Sequence, residues 1–222
     1  MLSKVKPLLT VASLAVALCG ASGGHSSQSA LQDLVEGNKR FASGQATHCG
    51  IDDQKLASHQ ASQAPDAIIL SCSDSRVPPE RIFDQDIGEL FTVRVAGNIL
   101  NEDVVASIEY GVANLGSRLI VIMGHDSCGA IKAAVSGHAD EDAGSASLNH
   151  LIQEIRDNLG IDPEHDASLD PTLRNVARKN VSAVAADLLS RSKIVREAVQ
   201  AGKVKIERSI YTLSSGKVDF WE

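Results

Sequence analysis

Two short, unbroken aliphatic runs constrain this chain more than any other feature in it. Residues 67–70 read Ala-Ile-Ile-Leu and residues 119–123 read Leu-Ile-Val-Ile-Met, with no polar side chain in either. A strand with one wet face alternates apolar and polar positions, so a run without alternation must be covered on both faces. Such strands belong to parallel sheets, whose neighbouring strands need long, usually helical, crossovers. Residues 90–95 read as a further strand of this kind. Helical spacing supplies the crossovers. Leu31, Leu34, Val35 and Phe41 share a face, with Gly44 where a helix would end. Asn101 can cap a helix carrying Val104, Val105, Ile108 and Val112, with Gly116 beyond it. Residues 127–135, 148–159 and 171–201 read as helices, separated by polar stretches at 137–147 and 162–170. Residues 203–213 and 218–221 read as closing strands about a Ser214-Ser215-Gly216 turn. The expected fold is α/β: a single domain with a mostly parallel central β-sheet flanked by helices and an N-terminal helical arm.

In open parallel sheets, ligands gather outside the carboxyl ends of the strands. Two polar segments stand there, Cys72-Ser73-Asp74-Ser75-Arg76 after the first run and His125-Asp126-Ser127-Cys128-Gly129 after the 119–123 run. His125 and Cys128 lie where a strand turns into a helix, so one turn can aim both at one ion. The helix N-terminus favours the Cys128 thiolate. Cys72 can reach the same ion from the neighbouring strand. Two thiolates and an imidazole suit zinc, and three protein ligands leave a tetrahedral position open, as in catalytic sites. Asp74 could fill that position, or Arg76 could hold it back in a charge-assisted hydrogen bond so that it accepts a proton from water. A lone buried cysteine is more often a core hydrophobe, but that does not explain a fully polar stretch between Leu70 and Val77.

Other chemistries fit poorly. Gly124 and Gly129 imitate the start of a phosphate loop, yet Ala130-Ile131 stand where Lys and Ser/Thr are needed, and no G-x-G-x-x-G occurs. The net charge of −7 argues against a nucleic-acid partner. Lys4 and Lys6, the apolar residues 8–19 and the small residues 20–24 make a secretory signal peptide over residues 1–21, followed by a linker at 22–30 and the catalytic domain at 31–222. The apolar run is shorter than the ~20 residues of a membrane span, so no transmembrane span is expected. Leu18 before Cys19 is a poor lipidation context, so the expected product is exported, periplasmic or secreted, rather than lipid-anchored. Cys49, beside His48, reads as a free or buried thiol rather than a second metal site.

Cys72-Ser-Asp74-Ser-Arg76-Val-Pro, Ile82-Phe83, Gly88-Glu89-Leu90-Phe91, Arg94, Ala96-Gly97-Asn98, Ser107-Ile108-Glu109-Tyr110 and Gly124-His125 to Cys128-Gly129 follow one another in an order and spacing that resembles the β-class carbonic anhydrases. The resemblance runs from about Leu31 to the C-terminus. It implies one zinc ion per chain held by Cys72, His125 and Cys128, and a catalytic pair of Asp74 and Arg76. It implies reversible hydration of carbon dioxide to bicarbonate and a proton through zinc-bound hydroxide. It places Gln63, Phe91, Ala96 and Tyr110 around a narrow substrate pocket, partly across the interface of a homodimer or homotetramer. Without it, Phe91 and Tyr110 would read as core residues. Val95 and Asp126 depart from the family pattern, and Asp126 could add negative charge near the metal. A non-catalytic zinc module, or another small linear substrate such as carbonyl sulfide, remains an alternative on the same fold.

Overall fold

The 67–71 and 119–125 segments pair side by side at the middle of a parallel sheet, where nothing but aliphatic side chains can be covered from both sides. They are β1 (Ala67–Ser71) and β3 (Leu119–His125), and every residue of both is buried. A computed structural model describes residues 26–47, 53–136, 143–161 and 173–221. Its sheet runs β2-β1-β3-β4-β5, with β2 (Leu90–Arg94), β4 (Lys205–Thr212) and β5 (Lys217–Trp221) completing it. β1 to β4 are parallel, and β5 returns antiparallel on β4 through the turn after Thr212. The helices are α1 (Ser27–Ala42), α2 (Asp53–His59), α3 (Pro79–Ile82), α4 (Glu102–Ala113), α5 (Gly129–Ser136), α6 (Ala146–Leu159), α7 (Leu173–Arg191) and α8 (Lys193–Gln200), with a 3₁₀ turn at Ala96–Asn98.

Strand alternation divides the core. Ile68, Leu70, Ile120 and Ile122 point to one face, against Val104 and Ile108 of α4 and Val181, Val184 and Leu188 of α7. Ala67, Ile69, Leu119, Val121 and Met123 point to the other, against Leu34 of α1 and Phe83. Each fully buried aliphatic side chain contributes about 1.5–3 kcal/mol, so these two layers fix the carboxyl ends of β1 and β3 beside each other. A third cluster, with Ile131, Ile155, Leu159 and Val176, packs around Cys72 and Cys128.

Several expectations need correction. The helix expected over 171–201 is two helices, because Ser192 breaks it. Its hydroxyl accepts from Val195 N and donates to Glu109 of α4 at 2.6 Å. Residues 90–95 are not a strand covered on both faces: β2 lies at the sheet edge and its side chains are half-buried or exposed. The helical arm begins at Ser27, within the stretch expected as linker. Ser26 caps it and Ala30 is buried against the sheet. The expected signal peptide, Cys19, His48 and Cys49 lie outside the described residues. Among the described residues, no helix is long and apolar enough to cross a membrane.

Candidate metal centre

Ser71, the last residue of β1, pairs with Met123, and β3 runs two residues further to His125, so the chain just past β1 lies beside the end of β3. Cys72 follows β1 and His125 ends β3. Ser127 then takes a left-handed conformation (φ 53°), a tight reversal that brings Cys128 back before α5 starts at Gly129. The two Sγ atoms are 4.0 Å apart. The two sulfurs and a ring nitrogen of His125 all lie within 4.8 Å of one another. All three residues are buried, at 4%, 1% and 2% exposure for Cys72, His125 and Cys128.

His125 is oriented for a cation. Its Nδ1 lies 2.8 Å from the carbonyl oxygen of Asp126. A carbonyl only accepts, so Nδ1 carries the proton and Nε2 keeps its lone pair. That Nε2 is buried and has no hydrogen-bond partner. An orphaned buried polar atom costs about 1–3 kcal/mol, and a positive ion held with the two sulfurs would remove that cost. The sulfurs are prepared in the same sense. The Cys72 thiol is lowered by the hydrogen bond from Cys128, against the opposing effect of burial, and further by the N–H groups of Asp74 and Gly97. Both N–H groups lie 3.4 Å from Cys72 Sγ. Cys128 is pushed up by its hydrogen bond to the Cys72 sulfur, by burial and by the charge of that neighbour. Cys72 is thus favoured as thiolate and Cys128 as thiol, and two sulfurs with an imidazole make a donor set that suits a soft or borderline dication.

Beside this trio, Arg76 takes both oxygens of Asp74. Its Nε lies 2.9 Å from Oδ1 and its Nη2 lies 2.7 Å from Oδ2, while its backbone N–H donates to Oδ1 at 3.0 Å. The guanidinium holds the Asp74 carboxyl well below the usual carboxylate range. Asp74 Oδ2 stands 3.9 Å from His125 Nε2, so the carboxylate borders the space between the donors. Arg94, at the end of β2, straps the loop by donating to the carbonyls of Cys72 (3.1 Å) and Asp74 (2.7 Å). Arg94 stood in the family pattern, but only the fold reveals this strapping role. Asp126 is a strap as well: its carboxylate accepts from Leu213 N at 2.9 Å and its own N–H donates to Tyr211 O. Its carboxylate thus serves to tie the ligand turn to the end of β4, and its charge also raises the Arg76 guanidinium after the larger effect of Asp74.

The remaining residues expected around a pocket are scattered within one chain. Ala96 is half-buried and opens the 3₁₀ turn whose next residue touches Cys72. Phe91 pairs with Ile68, which places it about 13 Å along the strand from Cys72. Its ring meets that of Tyr110, centroids 6.2 Å apart. Tyr110 is 49% exposed and so is not core, whereas Phe91 is half-buried and packs against the aliphatic cluster beneath it. Gln63 lies exposed between α2 and β1.

Comparison with known proteins bears directly on this geometry. A family model described as carbonic anhydrase matches residues 67–218. A carbonic anhydrase of Mycolicibacterium smegmatis is 33% identical over 84% of this chain and 89% of its own length. One of Pseudomonas aeruginosa is 35% identical over 85% of this chain and 86% of its own. Among solved structures, the Coccomyxa β-carbonic anhydrase in complex with acetazolamide superposes with a TM-score of 0.66 at 29% identity, covering 85% of both chains. One of two tetrameric β-carbonic anhydrases of Sordaria macrospora gives a TM-score of 0.64 at 27% identity, covering 86% of this chain and 96% of that one.

Proposed function

This chain belongs to the β-carbonic anhydrase family, and from that premise we propose that it interconverts carbon dioxide and water with bicarbonate and a proton at the Cys72–His125–Cys128 centre, with one zinc ion per chain. The observation that carries the reading is the orphaned Nε2 of His125, buried beside two cysteine sulfurs that are 4.0 Å apart. Those donors suit zinc, and three of them leave a fourth position for water. When bound there, zinc would supply a Lewis acid that makes water a better nucleophile near neutral pH.

The chain's own side chains do the rest. Arg76 holds both oxygens of Asp74, which keeps the carboxylate from serving as a further metal ligand and leaves it free to orient water and accept its proton. Arg94 fixes the backbone of the same loop, so the distance between Asp74 and the sulfurs does not drift. The third apolar cluster excludes bulk water from behind the donors. Carbon is neither oxidised nor reduced: one C–O bond forms as one C=O π bond opens, and the proton from the broken water O–H bond leaves to solvent.

The test is stopped-flow hydration across pH 6 to 9, with zinc content measured on the same sample. Fast hydration with about one zinc per chain supports the reading. We expect the rate to rise beyond neutrality, because two thiolates offset the metal's charge and leave water less acidic than the ~7 of a three-histidine site. Zinc at full content without hydration at any pH would overturn it. We further propose a homodimer or homotetramer, supported by the exposed Tyr110 ring that covers half-buried Phe91 and tested by light scattering. Export through residues 1–21 is proposed from Lys4, Lys6 and the apolar run after them. N-terminal sequencing of the product from an expressing cell tests it.

A further inference from the structure

α7 packs an apolar face on the sheet through Val176, Ala177, Val181, Val184 and Leu188, and Asn180 lies in the middle of that face at 0% exposure. A buried amide among aliphatic neighbours is costly unless both of its ends are used. Both are. Its Nδ2 donates to the carbonyl of Gly97 at 3.0 Å, and its Oδ1 accepts from Asn158 Nδ2 of α6 at 3.1 Å. The recipient is not an ordinary loop carbonyl. Gly97 has φ 69° and ψ 10°, and its own N–H lies 3.4 Å from Cys72 Sγ. Glycine populates left- and right-handed conformations about equally well, so nothing intrinsic to Gly97 keeps that N–H on the sulfur.

We propose that Asn180, braced by Asn158, is a positioning residue for the metal centre: by holding the Gly97 carbonyl it fixes the Gly97 N–H on Cys72 Sγ and so sets how much negative charge that thiolate donates. The proposal rests on the reading of Cys72, His125 and Cys128 as a metal-binding trio. Hydrogen bonds to a ligand atom tune what the ligand gives its metal, and loss of such outer partners typically costs about 10–100-fold in affinity or activity. An apolar side chain of the same size would serve the packing of α7 equally well, which is why the amide calls for a role beyond packing.

The experiment uses the full-length protein loaded with cobalt(II), whose thiolate-to-metal charge-transfer band reports the donor strength of the sulfurs. Asn180→Leu keeps the branched heavy-atom skeleton and suits the apolar face while removing the donor to Gly97. A thiolate that loses an N–H donor gives up its electron more easily, so the band moves to longer wavelength, and zinc-loaded hydration falls about 10-fold at full metal content. Asn158→Ala leaves the Asn180 amide in place but unbraced, and produces a smaller shift in the same direction. A folded Asn180→Leu protein with the wild-type band overturns the proposal. If that variant does not fold, Asn158→Ala decides in the same way: a shift supports the proposal and an unmoved band overturns it. A wild-type protein showing no thiolate–cobalt band overturns this proposal and the metal-centre reading together, whereas a wild-type band left unchanged in the variants overturns this proposal alone.

Discussion

Adding one methyl group at Gly97 should injure the protein in two separable ways. A Cβ built there would stand 2.7 Å from Ile155 Cδ1, 3.3 Å from its Cγ1 and 3.4 Å from Ala130 Cβ. Ile155 is fully buried, so its side chain cannot swing into solvent, and overpacking of this kind costs about 1–3 kcal/mol. The left-handed backbone at φ 69° adds about 1–2 kcal/mol for any residue with a Cβ. Gly97→Ala should therefore lose about 2–5 kcal/mol in urea unfolding with zinc held constant, or about 4–20 °C in melting temperature. Ile155→Val removes the atom in closest conflict. By itself it should cost about 0.5–1.5 kcal/mol, but in the Gly97→Ala background it should be neutral or stabilising, a coupling of about 1 kcal/mol or more. The backbone part should persist in the double variant. Were Ile155→Val to cost the same in both backgrounds, within the ~0.3–0.5 kcal/mol by which independent sites add, the steric reasoning would be refuted.

Arg76→Ala should free Asp74 to approach the metal and lower hydration by about 10²-fold; full activity at full zinc content would show that the ion pair has no such part. Asp84 is buried, and although burial would raise its carboxyl, the Arg40 guanidinium and Thr47 N–H outweigh that and lower it. A lowered folded value means stability present above the ordinary carboxylate range and lost as pH falls below it. Asp84→Asn, which also tolerates the left-handed backbone there (φ 49°), should cost about 1–2 kcal/mol at pH 7, and that deficit should shrink toward pH 3 in thermal melts. Asn38 donates to the carbonyls of Ile82 and Gly216 and accepts from Val218 N, joining α1 to α3 and the β4–β5 hairpin. Asn38→Ala should cost about 2–3 kcal/mol by denaturant unfolding, and a loss under 0.5 kcal/mol would contradict this.

The order of strands and helices was legible because β1 and β3, covered on both faces, are unbroken aliphatic runs over 67–70 and 119–122. The candidate site was legible for a related reason: Asp74 and His125 beside Cys72 and Cys128 at two buried strand ends are not what packing alone selects. Sequence pattern also determined α4 from its Asn101 cap, which accepts from Val104 N as expected. It did not show that 171–201 breaks at Ser192, because one serine in a helical pattern is unremarkable until Glu109, far away in the chain, takes its hydroxyl. β2 looked covered on both faces and is an edge, since strand order is set by which crossovers pack and not by the strand's own residues. Asn158 and Asn180 carried no local signal at all, and Arg94 matched the family pattern without its strapping role being legible. Covalent neighbours and side-chain periodicity are properties of the sequence, so the buried strands and the donor atoms were determined there. A hydrogen bond acts over about 3 Å, so which carbonyl Asn180 holds, and which sulfur the Gly97 N–H then meets, was decided only when α6, α7 and the 3₁₀ turn packed together.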